Sequence, residues 1–421
     1  MPGTAPAQCA FQTAAEHAVL LDLERRAIRY FLDNQSPRTG LVLDRQRNFG
    51  APRRGGLYSS AATGMGFIAL ALASAIPFRL LSRTEAARRV CLGLETLLEN
   101  TPHTSGVLPH FLDSATCAVV GADARSTVDT AWLVAGALWA ATFLGNRELH
   151  KLARKLFERI DWRAWTGPDD LIRHGADQRE RPFPCCWDRL NGETVFMYVL
   201  AAGADEKMAW PASAWRQLDP FLGEAAGLRF GSADLGLFVF QYGLDLLDLR
   251  AWRLPDGYDL LGDAVLATKA NASVCRAASG RFATYRRWWG LSAGDGPGNS
   301  RNLDAYRCYA PSEPLDGTAH VSATIPSVVH QPSLVWENLH QAKAERHFPL
   351  EGRYGFSNLN VDRGWVGQDI VGIDAGAIVL ALDNCLFGDR VRCHFHAIEP
   401  VQIGLQRIGC TPVELPRLAA A

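Results

Sequence analysis

The sequence has almost no net charge to offer a partner: 43 Lys and Arg stand against 44 Asp and Glu, leaving -1. Without a basic field, neither nucleic acid nor a membrane surface is an expected partner. A disordered polyelectrolyte is excluded as well, because charged residues make up 21% and hydrophobic residues 48%. Long hydrophobic runs are missing. The longest, Ala61 to Phe78, is interrupted by Thr63, Gly64, Gly66 and Ser74 and stops at Pro77 and Arg79, so it reads as a buried helix rather than a membrane span. The first residues lack a basic segment followed by an apolar one, which leads to the expectation of a cytoplasmic protein. Among the 10 cysteines there is no Cys-x-x-Cys, and only Cys185 and Cys186 are close in sequence, so reduced and mostly buried thiols are expected. Cys393-His394-Phe395-His396 supplies at most half of a tetrahedral set, so neither a metal nor a cofactor is expected.

A linker is also missing. The 421 residues allow two or three domains or one large toroid, and no long Pro/Ser/Gly segment or exact repeat divides them. What is present is helical periodicity. Residues 15–33 place Val19, Leu20, Leu23, Ile28 and Phe31 among Glu, Arg and Asp. Ser82-Arg83-Thr84-Glu85 reads as a capping box opening a helix through Leu98. Further helices are expected near 128–145, 147–160, 193–204, 259–276, 331–345 and 375–387. Paired helices joined by long aromatic loops suit an all-α, double-layered toroid. The loops 34–58, 102–126, 161–192, 277–318 and 346–373 are long enough to be functional. Trp162, Trp165, Trp187, Trp288, Trp289 and Trp365 sit in or beside such loops, where they serve either as core anchors or as platforms for sugar faces.

Three carboxylates open apolar helices: Asp129, Glu193 and Asp374. Capping and the helix dipole alone account for acidic residues there. If the helix starts converge on one mouth, the same carboxyls could act as acid and base across a glycosidic bond. The dipole favours ionised Glu193, so a role as general acid requires burial or a second carboxylate to raise its pKa.

Several motifs, in order, resemble those of the bacterial glucoamylase-like superfamily. That group includes the endo-β-1,2-glucanases of glycoside hydrolase family 144 and the transglycosylating domain of cyclic β-1,2-glucan synthases. The similar segments are Thr39-Gly40-Leu41-Val42-Leu43-Asp44-Arg45, Ala61-Ala62-Thr63-Gly64-Met65-Gly66-Phe67, Ser126-Thr127-Val128-Asp129 and Leu190-Asn191-Gly192-Glu193. Trp289-Gly290-Leu291-Ser292-Ala293-Gly294-Asp295-Gly296-Pro297 is the most specific, followed by Tyr354-Gly355-Phe356, Asn360-Val361-Asp362 and Gly372-Ile373-Asp374-Ala375-Gly376. The resemblance spans roughly residues 20–395.

It implies a single (α/α)6 toroid with long aromatic loops at one mouth over 15–395, flanked by tails at 1–14 and 396–421. It further implies a glycoside hydrolase or transglycosylase acting on a β-glucan, β-1,2-linked, with an oligo- or polysaccharide substrate. Glu193 matches the family's acid, Asp129 a second acidic position, and Asp295 and Asp374 match acidic positions lining its cleft. Arg45, His174, Trp187, Trp289 and Tyr354 complete the expected substrate-binding set. By residue type alone, Asp295 is also a turn residue, Arg45 a solvated loop charge and His174 a surface polar group. The sequence departs from the glucanases at Asp129, shorter than their Glu, at Ser126 in place of Asp, and at Ala375 where many members have Gln. These changes keep two alternatives in view: a non-catalytic carbohydrate-binding or regulatory toroid, and an enzyme of the same fold on another glycan. A monomer or homodimer is expected.

Overall fold

The computed structural model describes residues 13–299 and 304–413, so residues 1–12 of the expected N-terminal tail lie outside the described residues. The described chain is mainly α-helical, with short antiparallel strand pairs in the connections. Helix α1 (Ala14–Asn34) starts at Thr13, whose hydroxyl accepts the Glu16 amide while the Glu16 carboxylate accepts the Thr13 amide. Next come α2 (Ser60–Leu72), α3 (Arg83–Glu99), α4 (Thr127–Leu144), α5 (Arg147–Glu158) and α6 (Gly192–Ala202). The remainder are α7 (Leu260–Ala277), the single turn α8 (Val321–Thr324), α9 (Pro332–Ala344), α10 (Gly372–Leu386), α11 (Arg390–His396) and α12 (Glu399–Ile408). Ser82 caps α3 through the Glu85 amide, but the Glu85 carboxylate turns to Arg88 and Arg89.

The helices form two layers. In the inner one α2 packs on α4, α4 on α6, and α6 on the 3-10 turns Leu237–Phe240 and Gly243–Asp245. The first of those turns meets α8. That helix and the turn after it, Ile325–Val329, lie against α10, and α10 returns to α2. Outside them α1 covers α2 and α10, α3 and α5 cover α4, α7 covers Leu237–Phe240, α9 covers α8, and α12 covers α6. Composition follows position. Helix α5 buries one stripe, Leu149, Ala153, Leu156 and Phe157, whereas α2 is buried on every side. Helix α4 is long and apolar enough to cross a membrane by length and composition, but 89% of it is buried inside the fold, which accounts for its hydrophobicity.

Glycines let the inner helices touch backbone to backbone. A Cβ on Gly136 of α4 would lie 1.9 Å from the Gly64 carbonyl of α2, and one on Gly64 would lie 2.3 Å from the Trp132 carbonyl. A methyl at either site would need the helices to separate.

Two expectations are corrected here. The segment 396–421 is not a tail through its described part. Residues Glu399–Ile408 form α12, and Thr411–Pro412 pairs with Trp252–Arg253. Gly203 and Gly404 bring α12 against α6, each so close that a Cβ would meet the other helix's carbonyl at 1.9 Å. The cysteines match expectation in part: eight of those described are free, but of these only Cys275 and Cys410 are buried.

The packing generates a prediction. Gly136→Ala should lower stability by about 1–3 kcal/mol or more, since overpacking here is against backbone. Gly280→Ala, with nothing within 4 Å of its Cβ, should change it little. Denaturant unfolding of both variants checks this, and an unaltered Gly136→Ala protein would contradict the packing account.

Candidate active site

Helices α2, α4, α6 and α10 begin on the same side of the fold, and their starts border a cleft of about 790 Å³. Ser59 precedes α2, Ser126 and Asp129 open α4, Glu193 opens α6, and Val371 and Ile373 flank the start of α10. Two strand pairs hold these starts. Arg125–Ser126 pairs with Gly175–Ala176, and Arg45–Arg47 pairs with Asp369–Val371.

Glu193 stands in the first turn of α6, where the Asn191 side chain accepts the Glu193 amide at 3.0 Å and the Thr194 amide at 3.2 Å. Capping therefore consumes Asn191 and leaves the Glu193 carboxyl to the cleft. Burial, and then the charge of Asp129, push the Glu193 pKa from 4.5 up to about 8. The carboxyl is protonated at neutral pH despite the helix dipole.

Asp129 has a different environment. Ser126 donates its hydroxyl to Asp129 Oδ2 at 2.5 Å, and His110 Nε2 lies 3.6 Å from Oδ1. Burial raises the Asp129 pKa above its ordinary value; His110 and Ser126 pull it down without cancelling the rise, to which Asp123 and Asp44 add. His110 in turn bonds Asp123 through Nδ1. Desolvation opposes its charge, but Asp129, Asp123 and Asp44 outweigh this and raise its pKa to about 9.

On the opposite wall, Arg45 donates to Asp44 at 3.0 Å and to both Asp295 oxygens at 3.1 Å. Asp374 lies behind the wall, accepting the Tyr242 hydroxyl at 3.2 Å. Burial raises its pKa to about 7 although that hydrogen bond works the other way. His174 stacks on Trp187, ring centroids 3.9 Å apart, and the Trp187 indole donates to Thr127 at 3.0 Å. Burial lowers the His174 pKa, so this ring is neutral at pH 7.

Of the residues singled out from sequence, Glu193, Asp129, Arg45, His174 and Trp187 line the cleft. Asp295 and Asp374 lie one layer behind, on Arg45 and Tyr242. Two expectations are corrected. Trp289 is buried in the core, its indole donating to the Leu334 carbonyl and its backbone clamped by Asn338. Tyr354 is buried against Tyr30 and lines a separate pocket. Trp162, Trp165 and Trp288 are core anchors too. The aromatic lining is instead Phe111, Phe183, Trp187, Phe238, Tyr242 and Tyr306. Sequence reasoning missed His110, Asp123, Tyr242 and Tyr306. Only Asp44 carried a signal, as the neighbour of Arg45. Among the described residues no cluster of three or more His, Cys, Asp or Glu could hold a metal ion.

Residues 185–397, just over half of the chain, match the family model Glycoamylase, described as "Putative glucoamylase". The chain belongs to this glucoamylase family. Solved structures agree with it in fold. A Bacteroides uniformis protein with the same description has a TM-score of 0.81 at 21% identity, covering 99% of this chain and 100% of its own. An endo-β-1,2-glucanase from Chitinophaga pinensis, solved with sophorotriose and glucose, has a TM-score of 0.81 at 20% identity, covering 95% of this chain and 99% of its own. A β-1,2-glucanase from Parabacteroides distasonis has a TM-score of 0.78 at 19% identity. That match covers 93% of this chain but 60% of the larger protein. No curated protein matches the sequence.

The raised Glu193 pKa gives this family member a stability signature. The folded state keeps the proton that the unfolded state loses, so stability declines as pH rises from about 4.5 to about 8. Glu193→Gln should flatten that decline and be more stable than wild type at pH 8, with little difference at pH 4. Thermal unfolding across this range tests it, and parallel curves would refute the assigned pKa.

Proposed function

We propose that this protein is a glycoside hydrolase of β-glucans, with β-1,2-linked chains as its substrate. The observation that carries the reading is the pair at the helix starts: Glu193, protonated by burial, beside Asp129, which is given a hydroxyl donor and a cation. Likeness of fold to structures described as β-1,2-glucanases supports the linkage. The closed circuit of six inner elements, α2, α4, α6, the turns 237–245, α8 with 325–329, and α10, supports an (α/α)6 toroid as the architecture.

In this reading Glu193 gives its proton to the glycosidic oxygen as the C1–O bond breaks. Water forms the new bond to C1 and passes a proton to Asp129, so that the sum is addition of one water across the linkage. Arg45, with its carboxylate partners, and the His174–Trp187 stack bind the sugar's hydroxyls and faces. The lining sets aromatic and aliphatic faces among charged and hydroxyl groups, which suits the apolar faces and the hydroxyls of a glycan.

The test is product analysis by thin-layer chromatography and NMR, using linear and cyclic β-1,2-glucans beside a panel of other β-glucans. Wild type should release shorter glucans, and Glu193→Gln should be slower by about 10²–10⁴-fold with substrate binding retained. The kcat/KM profile should fall as pH rises through about 8, where Glu193 loses its proton. No product from any glucan, or full activity in Glu193→Gln, would overturn the assignment.

A further inference from the structure

The imidazole of His110 lines the cleft beside Asp129.

We propose that His110 is a positioning residue whose imidazolium, tied to Asp123 on one nitrogen, acts through its charge on Asp129 from the other and keeps that carboxylate ionised. Its place in turnover rests on the hydrolytic reading above, while its charge state stands on the geometry alone.

The backbone fixes where the ring goes. The His110 carbonyl accepts the Ser60 amide at 3.1 Å and the Ser60 hydroxyl donates to the Pro109 carbonyl at 2.6 Å, so this strand end is pinned to the start of α2. The ring then stacks on Phe111, centroids 3.6 Å apart and planes 20° from parallel. Stacking leaves only the ring edges free, and a carboxylate stands at each nitrogen: Asp123 at Nδ1 and Asp129 at Nε2. A neutral imidazole has one N–H and one lone pair, so one carboxylate would face a lone pair. Only the imidazolium presents an N–H and positive charge towards both, as a bond to Asp123 and as a charge 3.6 Å from Asp129. Burial works against that charge, but Asp129, Asp123 and Asp44 prevail over it. Among the described residues, those three carboxylates are the charged groups that act most strongly on the ring.

The consequence falls on Asp129. Its Oδ2 is held by Ser126, and at 3.6 Å the His110 contact to Oδ1 is too long for a direct hydrogen bond. His110 therefore acts mainly through charge. Without it Asp129 would keep the charges of Asp123 and Asp44 but lose its main opposing charge, and would take up a proton at higher pH. Since the Asp129 charge also helps keep the proton on Glu193, one imidazolium maintains opposite protonation states in the two carboxyls.

Two variants of the full chain, His110→Gln and Asp123→Asn, test this by two readouts. The first is NMR of ¹⁵N-histidine-labelled protein, with His110 assigned by its loss in His110→Gln. Wild type should show both ring nitrogens protonated at pH 7, and Asp123→Asn should lower the titration midpoint of this ring. A neutral His110 at pH 7, or a midpoint unmoved by Asp123→Asn, would overturn the proposal. This readout needs no glucan, and it draws on His110→Gln only for the assignment, which His110→Asn supplies should that variant not fold. The second is kinetics on whichever glucan wild type cleaves. Both variants should lose about 10–100-fold in kcat with KM little changed, and the acid limb of kcat/KM should move up by about one pH unit. A fall in rate with an unmoved limb would mean a merely structural role and would also overturn it. Wild type inactive on every glucan, with His110 doubly protonated, would remove the hydrolytic reading and leave the charged bridge standing.

Discussion

Close approach of helix backbones is the constraint on which the rest depends. Where Gly64 of α2 meets Gly136 of α4, and Gly192 of α6 meets Gly243, each added Cβ would overlap a neighbouring backbone atom. Helices held this tightly leave no freedom to slide, so their first turns keep fixed places around one opening. The site is therefore built on rigid elements, with each carboxyl one turn from a contact that sets its position.

The same tight packing explains the electrostatics. Carboxyls at helix starts are usually solvated and favoured as anions by the dipole. Here the helices are buried to their ends, and desolvation is the largest influence on Glu193, Asp129 and Asp374 alike. What separates the three is their neighbours. Glu193 gains only another carboxylate, Asp374 a tyrosine hydroxyl, and Asp129 a hydroxyl and an imidazole. Equal burial with unequal partners lets carboxyls of one type differ in how firmly each holds its proton.

Most of the helical frame was legible in the sequence because its signals are local. The expected helix at 193–204 is Gly192–Ala202, and that at 331–345 is Pro332–Ala344. The helix at the C-terminal side was overlooked although Pro400 near its start and Gly409 after its end marked it. The site was legible only where it coincided with helix starts, as at Asp129 and Glu193. His110 could not be found that way, since its meaning comes from Asp123 and Asp129 folding back around it. Tryptophan misled for a related reason. A large aromatic in a loop satisfies a core as readily as a cleft, and only the packing of Trp289 against Asn338 and Leu334 separates the two.

The strand pair between Arg45–Arg47 and Asp369–Val371 also sets an order of events during synthesis. Arg53 and its partner Asp369, on the same seam, are 316 positions apart. At about 5–20 residues per second a ribosome needs roughly 15 to 60 s to make that stretch. During this interval the first wall of the cleft has emerged without the strand that holds it. The inner helices near the start of the chain can pack on one another as they appear, but Arg45 cannot reach its final setting until the seam closes. The cleft thus comes to exist only after its second wall has been made, and a nascent chain carries the residues of its first wall for roughly 15 to 60 s before it has a place to bind anything.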